Sequence, residues 1–180
     1  MAFNSVMLRL LLLRHAKAVP ENAQDHSRAL APRGRTNASA MGLYMREQQL
    51  LPDLVVTSDA LRALETAMLV VRALNDHIPL QREAKIYLAE IPALLNAIRH
   101  IPDGVNTCLM VGHNPGFHDL AQLLVGYGDR YAAARLRAGM PTCALTVLDF
   151  DCDTWSEVSA HKGRLDRFII PDDLNSQKPD

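Results

Sequence analysis

The chain has 180 residues, 19 of them basic and 20 acidic, so its net charge is close to zero. That length suits one domain over residues 1–180, and the charge balance excludes the global positive field that nucleic acid or an anionic membrane surface would attract. Hydrophobic residues make up 48% and aromatic residues 5%, which points to an interior of Leu, Val, Ala and Ile, as in α/β proteins whose central strands are covered on both faces.

Met7 to Leu13 is short, apolar and bounded by charge, and it reads as a buried strand. It runs directly into Arg14 and His15, where an ordinary turn would carry Gly, Asn, Asp or Pro. The leucine run before Ala16-Lys17-Ala18 faintly imitates a secretion leader. The imitation fails, because no positive n-region precedes it, Arg9 interrupts it, and Arg14 and His15 stand where small neutral residues belong. With no stretch near the roughly 20 apolar residues of a membrane span, a cytoplasmic protein is expected.

A polar loop carrying Asp25, His26 and Arg28 leads to Pro32, placed to open an amphipathic helix that extends to about Gln49. Leu54 to Thr57 reads as a second strand, with Ser58 and Asp59 as caps for a helix to about Leu74. The stretch from Ile78 to Tyr87 is expected to be an exposed connection, followed by a helix in the proline-flanked segment from Ile91. Thr107 to Val111 is a third strand, leading through a Gly-Asn-Pro-Gly turn around His113 into a helix to about Val125. "ALTVLDF" and "WSEVSA" read as two strands of a hairpin joined by "DCDT", and the tail from about residue 175 is expected to be mobile. Cys108, Cys143 and Cys152 are odd in number and lack metal-ligand spacing, so free thiols are expected.

In a mainly parallel sheet with right-handed crossovers, the carboxyl ends of the parallel strands share one edge, where ligands bind. Three such ends are marked here: the first by Arg14 and His15, the second by Ser58 and, one helical turn later, Arg62, and the third by His113 with Asn114. Two guanidiniums offer forked donors matched to phosphate oxygens, and helix N-termini add backbone donors. A neutral histidine beside a bound phosphoryl group can act as nucleophile, while a second, protonated one can stabilise developing charge. His118 and Asp119 follow closely, but histidines at i and i+5 at a helix start share no face, which argues against a metal site. His26 and Arg28 read equally as a rim touching substrate or as a solvated loop, and His77, His100 and His161 as surface residues.

"LLRHAKA", "TSDALRALETA" and "VGHNPG", in this order and at these intervals, resemble the histidine phosphatase superfamily, whose fold is phosphoglycerate-mutase-like. The short chain, "DHSRALAPRGR" and the closing "GRLDRFIIPDDL" look like its SixA-type phosphohistidine phosphatases. The resemblance implies a three-layer α/β/α fold with a mainly parallel sheet. It makes His15 the phospho-accepting nucleophile, Arg14 and Arg62 the phosphate clamps, and His113 the second pocket histidine. Ser58, Asn114 and Arg28 join Arg14, Arg62 and His113 as candidate substrate-binding residues.

The family's usual glycine after the first histidine is Ala16 here, and the Glu-containing segment of ester-cleaving members has no counterpart; only Glu83 and Glu90 stand nearby. The leading expectation is a phosphatase with no cofactor and no metal, taking protein phosphohistidine and releasing phosphate, with no nucleic-acid or membrane partner. A small phosphate ester as substrate and a non-catalytic phosphate- or phosphoprotein-binding module are the alternatives. Mutase activity is disfavoured by the absence of insertions that would enclose a substrate.

Overall fold

The computed structural model describes residues 7–20, 24–75 and 77–175. A seven-stranded sheet comprises β1 (Met7–Arg14), β2 (Leu54–Thr57), β3 (Leu80–Arg82), β4 (Thr107–Gly112), β5 (Val125–Gly128), β6 (Leu145–Asp151) and β7 (Gly163–Ile169) in the order β3-β2-β4-β1-β6-β7-β5. Only β6 runs against the others, pairing antiparallel with β1 and β7. Among the described residues six α-helices accompany the sheet: α1 (Pro32–Glu47), α2 (Leu61–Leu74), α3 (Ile91–Arg99), α4 (Gly116–Leu124), α5 (Arg130–Ala138) and α6 (Pro171–Asn175).

The leucine run of β1 divides its side chains by the two-residue period of a strand. Leu11 and Leu13 join Val55, Leu109, Val111 and Val147 in a core against α1 and α2. Leu8, Leu10 and Leu12 join Val56, Met110, Leu148 and the residues of α3, α4 and α5 in a second core on the other face. Both faces are therefore dry, which explains why the central strands read as unbroken apolar runs.

The chain departs from the sequence reading in four places. The "exposed connection" contains β3, which lies parallel to β2 with Thr57 opposite Arg82. β5 follows directly on α4, and α5 fills the unassigned segment after it, with the Asp129 carboxylate accepting from the Ala132 N–H as its cap. The hairpin partner of β6 is β7, not "WSEVSA". Trp155–Glu157 instead form one 3₁₀ turn, held by a Thr154/Glu157 capping box and by the Trp155 indole N–H on the Val105 carbonyl at 2.7 Å. β7 is charged because Asp149 of β6 is buried between Arg9 and Arg164 on the flanking strands, a cross-strand arrangement that pairs each guanidinium with one carboxylate. The three cysteines are free. The tail expected to be mobile, beyond Asn175, lies outside the described residues, and no helix among them is long and apolar enough to cross a membrane.

Behind the β1 tip, α1 presses against the backbone that follows His15. The Ala31 N–H donates to the Lys17 carbonyl at 2.8 Å, and a Cβ on Gly34 would stand 2.0 Å from that same oxygen. Gly34→Ala is therefore expected to destabilise the fold by about 1–3 kcal/mol through overpacking, lowering Tm by several degrees. Scanning calorimetry checks this, and an unchanged Tm would mean that α1 does not seat here.

Candidate active site

The site begins with register. Arg14 pairs with Gly112 across β1 and β4, Thr57 pairs with Val111 across β2 and β4, and the ladder continues one step beyond each strand: His15 N–H donates to the Gly112 carbonyl at 2.9 Å and Ser58 N–H to the Val111 carbonyl at 3.0 Å. Three strand ends thus deliver Arg14, His15, Ser58 and His113 to one edge, and the first turn of α2 adds Arg62. A cleft of about 450 Å³ opens there, lined among others by Arg14, His15, Asp25, Arg62, Tyr87 and His113.

The two histidine rings face one another with centroids 5.1 Å apart. His15 is nearly buried, and its Nδ1–H donates to the Ala16 carbonyl at 2.8 Å. That bond places the lone pair on Nε2, which accepts from Arg62 Nε–H at 3.3 Å. His113 places Nε2 2.8 Å from the Ser58 hydroxyl, which also accepts from the Ala60 N–H at 3.3 Å. If Ser58 donates to Nε2, one polar group is left over, the Nδ1–H of His113; the reverse arrangement strands both the buried hydroxyl proton and the Nδ1 lone pair. The first is cheaper, since each orphaned buried group costs about 1–3 kcal/mol. His15 therefore presents a lone pair and His113 an N–H.

Burial above all, with the nearby guanidiniums adding to it for His15 and the His15 ring for His113, pushes these imidazoles down from 6.5 to about 4 and about 3. In the empty cleft the second histidine is thus neutral and offers its N–H by tautomer instead of by protonation. His113 Nδ1, Arg14 Nε and Asn114 Oδ1 are buried without a partner, three of the four such side-chain atoms among the described residues. Their concentration in one cleft is the mark of a site built for a polar ligand.

Arg14 anchors through NH1 to the Met140 carbonyl at 2.9 Å, and Asn114 Nδ2 donates to the same oxygen at 2.8 Å. Burial draws the Arg14 guanidinium below its ordinary pKa, with Arg62 adding repulsion. Arg62 is almost fully buried, and its fork does not face the cleft freely. NH1 donates to the Asp25 carbonyl at 2.7 Å and NH2 to Asp25 Oδ2 at 2.9 Å, so only Nε meets His15. Asp25 also accepts from Arg28 NH1 at 2.8 Å and from the Tyr87 hydroxyl at 2.5 Å, and these donors hold its carboxyl far below the usual carboxylate range.

Of the residues singled out in sequence, Arg14, His15, Arg28, Arg62, His113 and Asn114 line the cleft. Ser58 is fully buried and touches His113 instead of the open space. Glu83 and Glu90 do not reach it: the Glu83 carboxylate caps the Ala84–Ile86 turn, and Glu90 stands at the start of α3. His26 contacts Asp59 and the edge of Tyr87 outside the lining. His118 donates to the Leu136 carbonyl. Asp25 and Tyr87 were missed as site residues. Tyr87 carries no local signal, since its place depends on β3 adding to the sheet edge and turning the chain back over His113, whose ring it meets edge-on at 5.4 Å. The signal for Asp25 was its i, i+3 spacing from Arg28.

The carboxyl edge of this mixed α/β sheet thus bears a cleft in which two neutral histidines stand among three guanidiniums. A family model for the histidine phosphatase superfamily (branch 1) matches residues 10–94. An uncharacterised protein of Mycobacterium leprae is 31% identical over 165 residues, covering 88% of this chain and 99% of that one. The proposed phosphohistidine phosphatase SixA of Agrobacterium tumefaciens has a TM-score of 0.77 at 29% identity, covering 91% of this chain and 98% of that one. Its counterpart from Nakamurella multipartitia has a TM-score of 0.77 at 25% identity, covering 92% and 96%. The chain belongs to the histidine phosphatase superfamily, with the phosphoglycerate-mutase-like fold.

The neutral histidines couple stability to pH. Between 6.5 and about 4 the unfolded chain binds protons at His15 and His113 that the folded chain refuses, so their contribution to stability is present above 6.5 and is lost as pH falls through this window. Denaturant midpoints measured from pH 7 to pH 4.5 are expected to fall, and to fall less steeply in His15→Gln. Direct NMR titration of His15 near 6.5 would contradict the burial argument. Arg62→Lys keeps the charge but cannot hold Asp25 and His15 at once. Loss of one charge-assisted hydrogen bond, roughly 1.5–3 kcal/mol, predicts turnover of nitrophenyl phosphate reduced about tenfold to hundredfold.

Proposed function

We propose that the protein is a phosphohistidine phosphatase acting through a covalent phosphohistidine on His15, with a phosphorylated protein as its substrate. His15 Nε2 attacks the phosphorus as the bond to the leaving group breaks and its electron pair departs with that group. As the phosphoryl group enters, Arg62 Nε–H passes from His15 Nε2 to an equatorial oxygen and frees the lone pair; Arg14 and His113 Nδ1–H donate to these oxygens as well, with Arg28 and Asn114 at the margin of the same cleft. Water then attacks the phosphoramidate, restoring neutral His15 and releasing phosphate. A binding module has no use for a nucleophilic lone pair held in place by two hydrogen bonds, which favours catalysis over silent binding.

One observation carries the choice of substrate. Among the described residues Asp25 is the one carboxylate in the cleft lining, and it is bound to Arg28, Arg62 and Tyr87 in its ionised form. The Tyr87 proton is committed to it in turn. An alkoxide leaving from an ester needs a positioned proton donor, typically contributing about 10² to 10⁴ in rate, and among the described residues the lining supplies no carboxylic acid for this. Phosphohistidine imposes a smaller demand, because its second ring nitrogen takes up a proton near neutral pH. The reading places the protein in cytoplasmic signal transduction, and the kinship with SixA proteins supports it.

The test compares kcat/KM for a phosphohistidine peptide, nitrophenyl phosphate and an alkyl phosphate. The peptide is expected to lead and the alkyl ester to trail. His15→Ala is expected to abolish turnover and with it an acid-labile, base-stable phosphoryl label on the protein. Efficient alkyl phosphate hydrolysis would sink the phosphohistidine reading in favour of a small-ester phosphatase, and turnover by His15→Ala would sink the covalent mechanism.

A further inference from the structure

Among the described residues, the lining of the cleft carries four cationic side chains, Arg14, Lys17, Arg28 and Arg62, against one carboxylate, Asp25. Such a field suits a phosphoryl dianion and repels anything cationic attached to it. A phosphohistidine that is ready to react is cationic on its ring, because protonation of the free nitrogen is what makes the imidazole a good leaving group. Substrate and site would be mismatched at that ring unless one group in the lining accepted its N–H.

Asp25 has the required features. A carboxylate offers about four acceptor positions. Three are filled, Oδ1 by Arg28 and Oδ2 by Arg62 and Tyr87, which leaves one on Oδ1. The side chain keeps 30% of its surface exposed and lines the cleft. Its backbone and side chain are both fixed by Arg62, the residue whose Nε touches the nucleophile, so carboxylate and nucleophile are tied to a single guanidinium.

Building on the phosphohistidine reading above, we infer that Asp25 is the leaving-group residue: its carboxylate accepts the N–H of the protonated imidazole and selects substrates whose leaving group is a cationic nitrogen ring. No proton moves through Asp25. The ring arrives protonated on the nitrogen remote from phosphorus, His15 Nε2 forms its bond to phosphorus, and the P–N electron pair passes to the departing nitrogen. Neutral imidazole leaves with the proton it brought. The carboxylate acts by raising the proton affinity of the bound ring. The charged and titratable groups around it are Arg28 on its own loop, Arg62 from α2 and Tyr87 from the segment after β3, with His15, His113, Arg14 and Lys17 in the same lining. These groups keep Asp25 ionised throughout the working range, so the titration read in the experiment belongs to the substrate.

A purely structural Asp25, serving only to hold Arg28 and Arg62, would affect every substrate alike. The test therefore measures kcat/KM of wild type, Asp25→Asn and Asp25→Glu on a phosphohistidine peptide and on nitrophenyl phosphate, whose leaving group is anionic. Asp25→Asn is expected to lower the ratio of peptide to nitrophenyl activity about tenfold to hundredfold, the worth of one charge-assisted hydrogen bond. It should also move the alkaline limb of the pH profile of kcat for the peptide, which reports the bound ring, to lower pH. Asp25→Glu, which keeps the charge, is expected to hold the ratio even where absolute rates fall.

Cleavage of both substrates by the wild type with parallel losses in Asp25→Asn overturns the inference alone, and so does a ratio lost equally in both variants, since that assigns the effect to geometry. Wild-type protein that cleaves nitrophenyl phosphate and leaves the peptide intact overturns the phosphohistidine reading together with this inference.

Discussion

Arg62 carries the arrangement of the whole site. A guanidinium that is almost fully buried must have its donors filled, because an unpaired buried charge is far more costly than any single contact can offset. Here the donors are divided: Nε meets the His15 ring, and the fork holds the backbone and the carboxylate of Asp25. The loop before α1, the histidine at the end of β1 and the start of α2 are therefore not three independent parts. The Thr66 hydroxyl extends the same unit, donating to the Arg62 carbonyl at 2.6 Å and accepting the Ala16 N–H at 3.0 Å, one turn along the helix from the guanidinium.

Burial sets the chemistry of the histidines as well as their position. Desolvation keeps both rings neutral, and two neutral rings can take opposite roles only if their tautomers are fixed separately. The Ala16 carbonyl does this for His15 and the Ser58 hydroxyl for His113. The cleft thus holds a lone pair and a donor with neither ring charged, and its positive charge comes from its arginines and Lys17. The cost is visible in the orphaned atoms of Arg14, His113 and Asn114. Such unpaired groups lower the stability of the empty cleft.

The sheet explains why this cluster can be assembled from distant segments. β1, β2 and β4 are neighbours and parallel, so the ends of three strands widely spaced along the chain lie within hydrogen-bonding reach, each continuing the ladder by one residue. β6 runs the other way on the far side of β1. The segment just before it brings the Met140 carbonyl to Arg14 and Asn114, closing the cleft on that side.

The sequence by itself determined the strand tips. Apolar runs ending in Arg14-His15, in Ser58 with Arg62, and in His113-Asn114 are local patterns, and the rule that parallel strands share a carboxyl edge is enough to bring them together. The helices with proline or cap signals were legible for the same reason, since their information lies within a few residues. What only the tertiary structure decided are the contacts between segments that carry no mark of one another. β3 is three residues long and owes its existence to the open edge of β2, so neither it nor the return of Tyr87 over His113 could be read from composition. The charges of β7 hid a strand because the acid that explains Arg164, Asp149, sits on β6. Glu83 and Glu90 stood in the expected stretch of chain and miss the cleft, while Asp25 enters it from a loop. Charge and proximity in sequence nominate such residues, but the direction in which a side chain leaves the backbone, and the partner it finds there, are set only when the strands and helices have packed.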